Sequence, residues 1–241
     1  MIPKIIHQTY KNADLPAEIS AGTKALRDQN PDWLYSFYTD ADCEEFIASH
    51  FDSTVLEAYL SINPTYGAAR ADLFRYLLIY HKGGVYLDIK STANHPLSEV
   101  TKNESYLLSH WDNSTSGTHP DWGIHIPGMP NGEFQQWHIA AEQGHPFLLQ
   151  VIKSVLDNIK NYTPESHGVG KLGALKTTGP IAYTLAIISC MPFAPHRLVR
   201  NNHMLGLAYS IFEKNGKAPR HHENNMPHPH YSNSDEPIVL K

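Results

Sequence analysis

The stretch GGVYLDIKST, residues 83–92, ends an apolar run on an acid, Asp88, and sets a base, Lys90, two positions later. Side chains alternate along a strand, so Val85, Leu87 and Ile89 are expected on one face and Tyr86, Asp88 and Lys90 on the other. In open parallel sheets ligands bind beyond the carboxyl ends of strands, which would let Asp88 present its carboxylate to a pocket. Same-face strand residues also lie only about 7 Å apart at Cα, so a local Asp88–Lys90 pair is an equal reading. Just upstream, Asp72 and Arg75 stand at i and i+3, close enough to pair along a helix. Two acids and two bases within twenty residues form the chemistry-bearing block of the chain.

The elements that must position this block alternate between strand and helix. PKIIHQTY suits a first buried strand and WLYSFYTD a second, with LPAEISAGTKALRDQ reading as a helix between them. DADCEEFIASHF carries acids where a helix start favours them, and STVLEAYLSI continues as another helix. YGAARADLFRYLLIYHKGG is the clearest helix. Leu73, Phe74, Leu77 and Leu78 make an apolar face, Asp72, Arg75 and Tyr76 fall on a more polar side, and Gly83 and Gly84 end it. After residue 92 the pattern weakens. Residues 109–134 are rich in Gly, Pro and Ser with room for one or two short strands. FQQWHIAAEQGHPFLLQVIKSVLDNIKNY reads as two helices broken at GHP, and TTGPIAYTLAIISC as a loop opening a buried helix. The alternation predicts an α/β fold around a mainly parallel sheet, formed by one domain over 1–241.

Composition narrows the classes. The chain has 241 residues, 41% hydrophobic and 18% charged, with a net charge of −5, which allows a large core. No concentrated basic patch exists to neutralise phosphates along a duplex, so nucleic acid is excluded as a partner, whereas a small anionic ligand needs only a few placed cations. Cys43 and Cys190 are too few for a disulfide framework and fit buried thiols. The opening MIPKIIHQTY has no secretory pattern, and IAYTLAIISCMPFA is too short to span a bilayer. A soluble, cytoplasmic protein is expected, with peripheral membrane association open to it. Histidine is abundant at 16 residues. His221, His222, His228 and His230 cluster near the end, either as metal ligands or as a polar, Pro-broken tail. A metal-dependent hydrolase built on them lacks a compact motif such as H-E-x-x-H.

The segments IPKIIHQTY, NPDWLYSFYTD, ARADLFRYLLIYHKGGVYLDIK, HPF and TTGP, in this order, resemble the glycosyltransferases of the DXD sugar-binding family that includes the yeast Och1-type mannosyltransferases, glycosyltransferase family 32. The resemblance runs from residue 2 to about residue 184. It implies a GT-A fold, a Rossmann-like α/β sandwich. It also implies transfer of a sugar, with retention, from a UDP- or GDP-linked donor to a glycan hydroxyl, as in polysaccharide, lipopolysaccharide or glycoprotein synthesis. By the same resemblance Gln8 and Thr9 would lie beside the base and ribose, Arg70 and Asp72 would face the donor sugar, and Gly83, Gly84 and Tyr86 would shape the pocket. Gly179 and Pro180 match a loop near the site, and Asp88 is the first acid of D-x-D. Bland readings stand beside these: Arg75 bracing Asp72, Tyr76 and Tyr86 packing in the core, and Gly179–Pro180 simply starting a helix.

Lys90 occupies the second acid's place. The family pattern implies Mn²⁺ or Mg²⁺ held by carboxylates and the diphosphate, and a cation in that shell repels a metal. Three outcomes are open. Asp88 and a C-terminal residue such as His230 hold a metal while Lys90 turns to a phosphate; Lys90 replaces the metal; or the chain is an inactive nucleotide-sugar or glycan-binding module. NNMPHPHYSNSDEP resembles the loop that closes such sites over the diphosphate, making residues 215–241 a closing segment. There His228, His230, Ser232 and Ser234 would be possible ligands, although Asp235 stands where a tryptophan would be expected. On the acceptor side, segment 111–133 offers Trp111 and Trp122 as stacking platforms, with burial expected for at least one.

Overall fold

A computed structural model describes residues 1–213 and 231–240. The first half alternates as the pattern requires: β1 (Ile5–Thr9), α1 (Ala17–Gln29), β2 (Leu34–Tyr38), α2 (Asp40–His50), α3 (Ser53–Ser61), α4 (Gly67–Lys82) and β3 (Gly84–Leu87). Thr39 caps α2 with a full capping box, its side chain accepting from Asp42 N while the Asp42 carboxylate accepts from Thr39 N. The second half runs β4 (Thr92–Ala93), α5 (Leu97–Val100), β5 (Tyr106–Ser109), β6 (His138–Ala141), α6 (Pro146–Lys160), α7 (Pro164–His167), α8 (Gly170–Thr177), α9 (Pro180–Cys190), β7 (Arg197–Val199) and β8 (Leu207–Ala208).

Six strands form one sheet in the order β2-β1-β3-β6-β5-β7, and β4 pairs with β8 beside it. β1 lies parallel to β2 and β3, and β5 parallel to β7; β6 is antiparallel to both β3 and β5. The sheet is therefore mainly parallel with one reversed strand. Both faces are covered, so its inner strands are buried along their whole length. Tyr86 packs with α2, α4, α6 and α9 on one face, while Val85 and Leu87 pack on the other with Leu26, Trp33 and Leu97. That is the alternation read for GGVYLD. Cys43 is buried, Cys190 half-buried, and both are free thiols. Among the described residues no helix is long and apolar enough to cross a membrane.

The sequence reading departs from the fold in three places. FQQWHIAA was expected to be helical, yet His138–Ala141 is a central strand paired with β3 and β5. Its Gln and Ala residues favour helix on their own, and pairing on both sides overrides that weak preference. Residues 109–134, which left room for one or two short strands, hold only the last residue of β5 and a bridge between His110 and Phe134, and no complete strand. The strand of GGVYLDIK ends at Leu87, and a turn closed by Ser91 N donating to Asp88 O follows. Lys90 therefore sits in a turn rather than on the strand face of Asp88.

Candidate active site

α4 and β3 form an antiparallel pair hinged at Gly83, and their lengths match. Eleven residues of helix from Asp72 to Gly83 rise about 16 Å, and five extended residues from Gly83 to Asp88 cover about 16 Å as well. The helix thus returns Asp72 to the level of Asp88 at the carboxyl edge of the sheet. Because β6 is antiparallel, its leading residues Gln136 and Trp137 reach the same edge, with Leu87 opposite His138 and Trp137 O accepting from Asp88 N at 2.8 Å. Trp111 follows the end of β5 there. A cleft of about 180 Å³ opens between these ends, lined among others by Asp72, Arg75, Asp88, Gln136, Pro180 and Tyr209.

Arg75 organises the cleft. Its guanidinium lies 3.2 Å from Asp72 Oδ1 and 3.1 Å from Asp88 Oδ1, and it donates to Gln136 O at 2.9 Å. It also lies over the Tyr86 ring at 4.7 Å. Burial opposes its charge, but the Tyr86 oxygen, Asp88 and Asp72 more than offset that and hold it above its ordinary pKa. Asp72 is 6% exposed and saturated: Gln136 Nε2 donates to Oδ1 at 2.9 Å and Thr178 Oγ1 to Oδ2 at 3.0 Å. Burial raises its pKa, while Arg75, Gln136 and Thr178 all favour the anion. We take Asp72 as an ionised partner of Arg75, since both its oxygens face donors. Asp88 is the open acid, with a side chain 26% exposed. Tyr86 Oη donates to Asp88 Oδ1 at 3.3 Å and stands 3.1 Å from Thr9 Oγ1.

Of the residues singled out in the sequence, Asp72, Asp88 and Pro180 line the cleft, and Tyr86 lies directly beneath it. Gln8 is fully buried, its amide donating to Asp88 O at 3.2 Å and its carbonyl accepting from Tyr35 Oη, so it braces the strand end from below. Gly179 packs against α8, where a Cβ would approach Leu175 Cα to 2.9 Å. The placing of four others differs from expectation. Arg70 points away from the cleft, donating to Ile62 O and Leu60 O, pairing with Glu44 and stacking on Tyr59. Gly83 and Gly84 lie at the opposite end of β3, where φ of +66° and +102° turns the chain and a Cβ on Gly84 would meet Ile5 O at 2.6 Å. Their role is to close the α4–β3 turn, a conformation glycine adopts without steric cost. Lys90 Nζ donates to Tyr209 Oη at 2.8 Å and lies 4.1 Å from that ring's centre.

Several residues went unread in the sequence. Gln136 and Trp137 were hidden by the helical reading of their segment. Thr178 lay within TTGP beside the two residues that drew attention. Tyr209, in an unpatterned stretch, carried no signal. It is held by Ser91 Oγ donating to Tyr209 O at 2.6 Å and by Ile211 N donating to Lys90 O at 2.7 Å. Trp111 contacts both Trp122 and Tyr209 with ring centres 5.0 Å apart. Trp111 is half-buried and Trp122 is 38% exposed, so neither is lost to the core as expected.

The expected divalent cation fits the described residues poorly. No group of three or more His, Cys, Asp or Glu converges among them. Asp72 has no oxygen free of a donor, and Asp88 Oδ1 already faces Arg75 and Tyr86. A hard cation is held by several oxygens, and here one carboxylate is offered beside a guanidinium. The other expected ligand, His230, lies outside the described residues, as do His221, His222 and His228. Of the expected closing segment, residues 236–239 pack at the entry to α4: Tyr66 Oη donates to Glu236 O at 2.7 Å and Ile62 pairs with Val239.

Residues 16–107 match the glycosyltransferase sugar-binding region containing a DXD motif. The chain is 32% identical over 176 residues to mannosyl phosphorylinositol ceramide synthase CSH1 of Saccharomyces cerevisiae, covering 73% of this chain and 41% of that protein. It is 32% identical over 163 residues to inositol phosphoceramide mannosyltransferase 3 of Schizosaccharomyces pombe, covering 67% and 39%. The initiation-specific alpha-1,6-mannosyltransferase of Candida albicans is 29% identical over 168 residues, covering 64% and 43%. This chain thus spans well under half of each relative's length. Among solved structures, the UDP-bound glycosyltransferase domain of the YGT toxin superposes with a TM-score of 0.57 at 10% identity, covering 88% of this chain and 81% of that one. PaToxG glycosyltransferase gives 0.56 at 16% identity, covering 79% and 70%. At such identities the likeness establishes the fold, a GT-A-type α/β sandwich. The sequence matches carry the assignment further, and the chain belongs to the glycosyltransferase family defined by the DXD sugar-binding region.

Proposed function

We propose that the chain transfers a hexose, with retention, from a nucleoside-diphosphate sugar to a hydroxyl of a glycan acceptor. The observation that carries this reading is the Asp72–Arg75–Asp88 bridge at the carboxyl edge of the sheet, with one acid saturated and one open. The cleft is smaller than the several hundred Å³ usual for a whole ligand. It suits the sugar end of a donor, with the nucleotide lying outside along the strand ends. Asp88 accepts from sugar hydroxyls, and Arg75 supplies fixed positive charge where a diphosphate departs. Preorganised charge of this kind is a large catalytic term.

Retention is what the family resemblance implies, and the pairings at the cleft are compatible with it. Inversion needs a base on the far side of the sugar to take the acceptor proton. Asp72 has both oxygens engaged, while Asp88 is partly exposed with Oδ1 facing Arg75. In a retaining transfer the departing phosphate oxygen serves as the base. The sugar–phosphate bond breaks, the acceptor oxygen bonds on the same face, and its proton passes to the phosphate. Two relatives are named as mannosyltransferases, one of them of inositol phosphoceramide, and a third as a mannosyl phosphorylinositol ceramide synthase. A mannosyl donor and an inositol-bearing or mannose-bearing acceptor are therefore the first to test.

The test is incubation with a panel of UDP- and GDP-sugars and these acceptors, reading nucleoside diphosphate and product anomer. Acceptor-dependent release of a diphosphate with an α product from an α donor supports the reading. An inverted product overturns the retaining step, and tight donor binding without release reassigns the chain as a binding module.

A further inference from the structure

The poor fit for a protein-held cation has a counterpart in charge. A pair of acids with a divalent cation bound sums to zero, and so do Asp88 and Lys90 by themselves. Changing one acid to a lysine shifts the local charge by the same two units a divalent ion would bring. Lys90 is also held in place. Its ammonium rests on Tyr209, a residue lining the cleft, and its backbone carbonyl accepts from Ile211 N. Ser91 and the β4–β8 pairing fix the segment that follows Lys90.

Asp88 does not neutralise Lys90 among the described contacts, because Asp88 is engaged by Arg75. The direct contacts of the ammonium are a neutral phenol and a ring face, and the Glu213 carboxylate acts on it through the field, with no ion pair between the two among the described contacts. The phenol gives way to an anion, since charge-assisted hydrogen bonds to phosphate are the stronger ones. A Lys side chain has a flexible four-carbon stem, so the move from Tyr209 to the mouth of the cleft is a rotamer change.

We infer that Lys90 is the built-in counter-cation for the nucleotide diphosphate, so that donor binding at this site requires no divalent metal. This rests on the proposed donor site and adds what neutralises its anion. Lysine then takes up the diphosphate charge from the side of Tyr209, and Arg75 from the side of Asp88.

The test is calorimetric titration of the intact chain with UDP, GDP and the matching nucleosides, in EDTA and in Mn²⁺. For the unaltered protein the affinity for the preferred diphosphate is expected to agree within about threefold between the two conditions. In Lys90→Met it should fall about tenfold or more, the loss of one charged contact, with nucleoside affinity unchanged. Lys90→Asp should bind the diphosphate weakly in EDTA and recover about tenfold or more in Mn²⁺, because a second acid re-creates a carboxylate pair. Binding by the unaltered protein in Mn²⁺ alone overturns the inference and leaves the donor site standing. A Lys90→Met protein with full diphosphate affinity also overturns it. Absence of binding to either nucleotide in both conditions overturns the inference and the donor site together.

Discussion

Arg75 Nη1 lies 3.1 Å from Asp88 Oδ1 and so ties the middle of α4 to the end of β3. The same guanidinium reaches Asp72 at 3.2 Å, and its side chain is 6% exposed. A buried charge pair contributes little net stability, but removing one partner strands the other. Arg75→Lys keeps the charge and loses the planar fork that reaches two acids and the Gln136 carbonyl. Stability should fall by about 2–4 kcal/mol and diphosphate release by about a hundredfold. Urea unfolding and a release assay on the same preparation check both; unchanged turnover would remove Arg75 from the donor site.

The two acids should separate in their effects. Asp72→Asn replaces a saturated, buried carboxylate and leaves Arg75 with Asp88 as its one acidic partner in the cleft, so a loss of about 2–4 kcal/mol is expected. Asp88→Asn alters a partly exposed group and should cost about 1 kcal/mol while abolishing turnover. Melting curves and release rates for the pair settle the split. An active Asp88→Asn protein contradicts its assignment as the open acid.

Gly84→Ala tests whether the glycine pair shapes the fold or the site. Its φ of +102° strains any Cβ, and the added atom would press on Ile5 O. A loss of about 2 kcal/mol or more is expected, with KM for the donor unchanged in the folded fraction. A raised KM at unchanged stability would return Gly84 to the pocket.

Much of this arrangement could be read in advance, for definite reasons. The alternation through Val85, Tyr86 and Leu87 held because each face of the sheet is buried against its own layer. Asp72 and Asp88 were placed by the family resemblance, and the matched lengths of the helix and strand hinged at Gly83 explain why they come level. Lys90 could not, since the strand ends three residues before it and the turn sends its side chain to Tyr209, 119 positions away in sequence. Gln136 was obscured because β6 is a strand only through partners on both sides. Arg70 was misplaced because a residue two positions from Asp72 on a helix faces elsewhere.

Acid should weaken the fold through buried histidines. Burial lowers the pKa of His7 to about 4 and of His138 to about 3. In the unfolded chain both titrate near 6.5. Below that pH the unfolded state takes protons that the folded state refuses, so stability is full above about 6.5 and falls as pH drops toward 4. Each group contributes a slope of up to about 1.4 kcal/mol per pH unit. Urea midpoints at pH 7.5, 6 and 5 should decline in that order, and a flat series would mean that these rings are not buried in the neutral form.

The most direct test of the donor site is a crystal structure of the chain with a nucleoside-diphosphate sugar that it turns over or binds. The sugar is expected in the cleft with a hydroxyl within hydrogen-bond distance of Asp88, and the diphosphate beside Arg75 and Lys90. A donor seated instead in the shallow depression lined by Phe37, Asp42, Glu45, Phe46 and His50 would contradict the account.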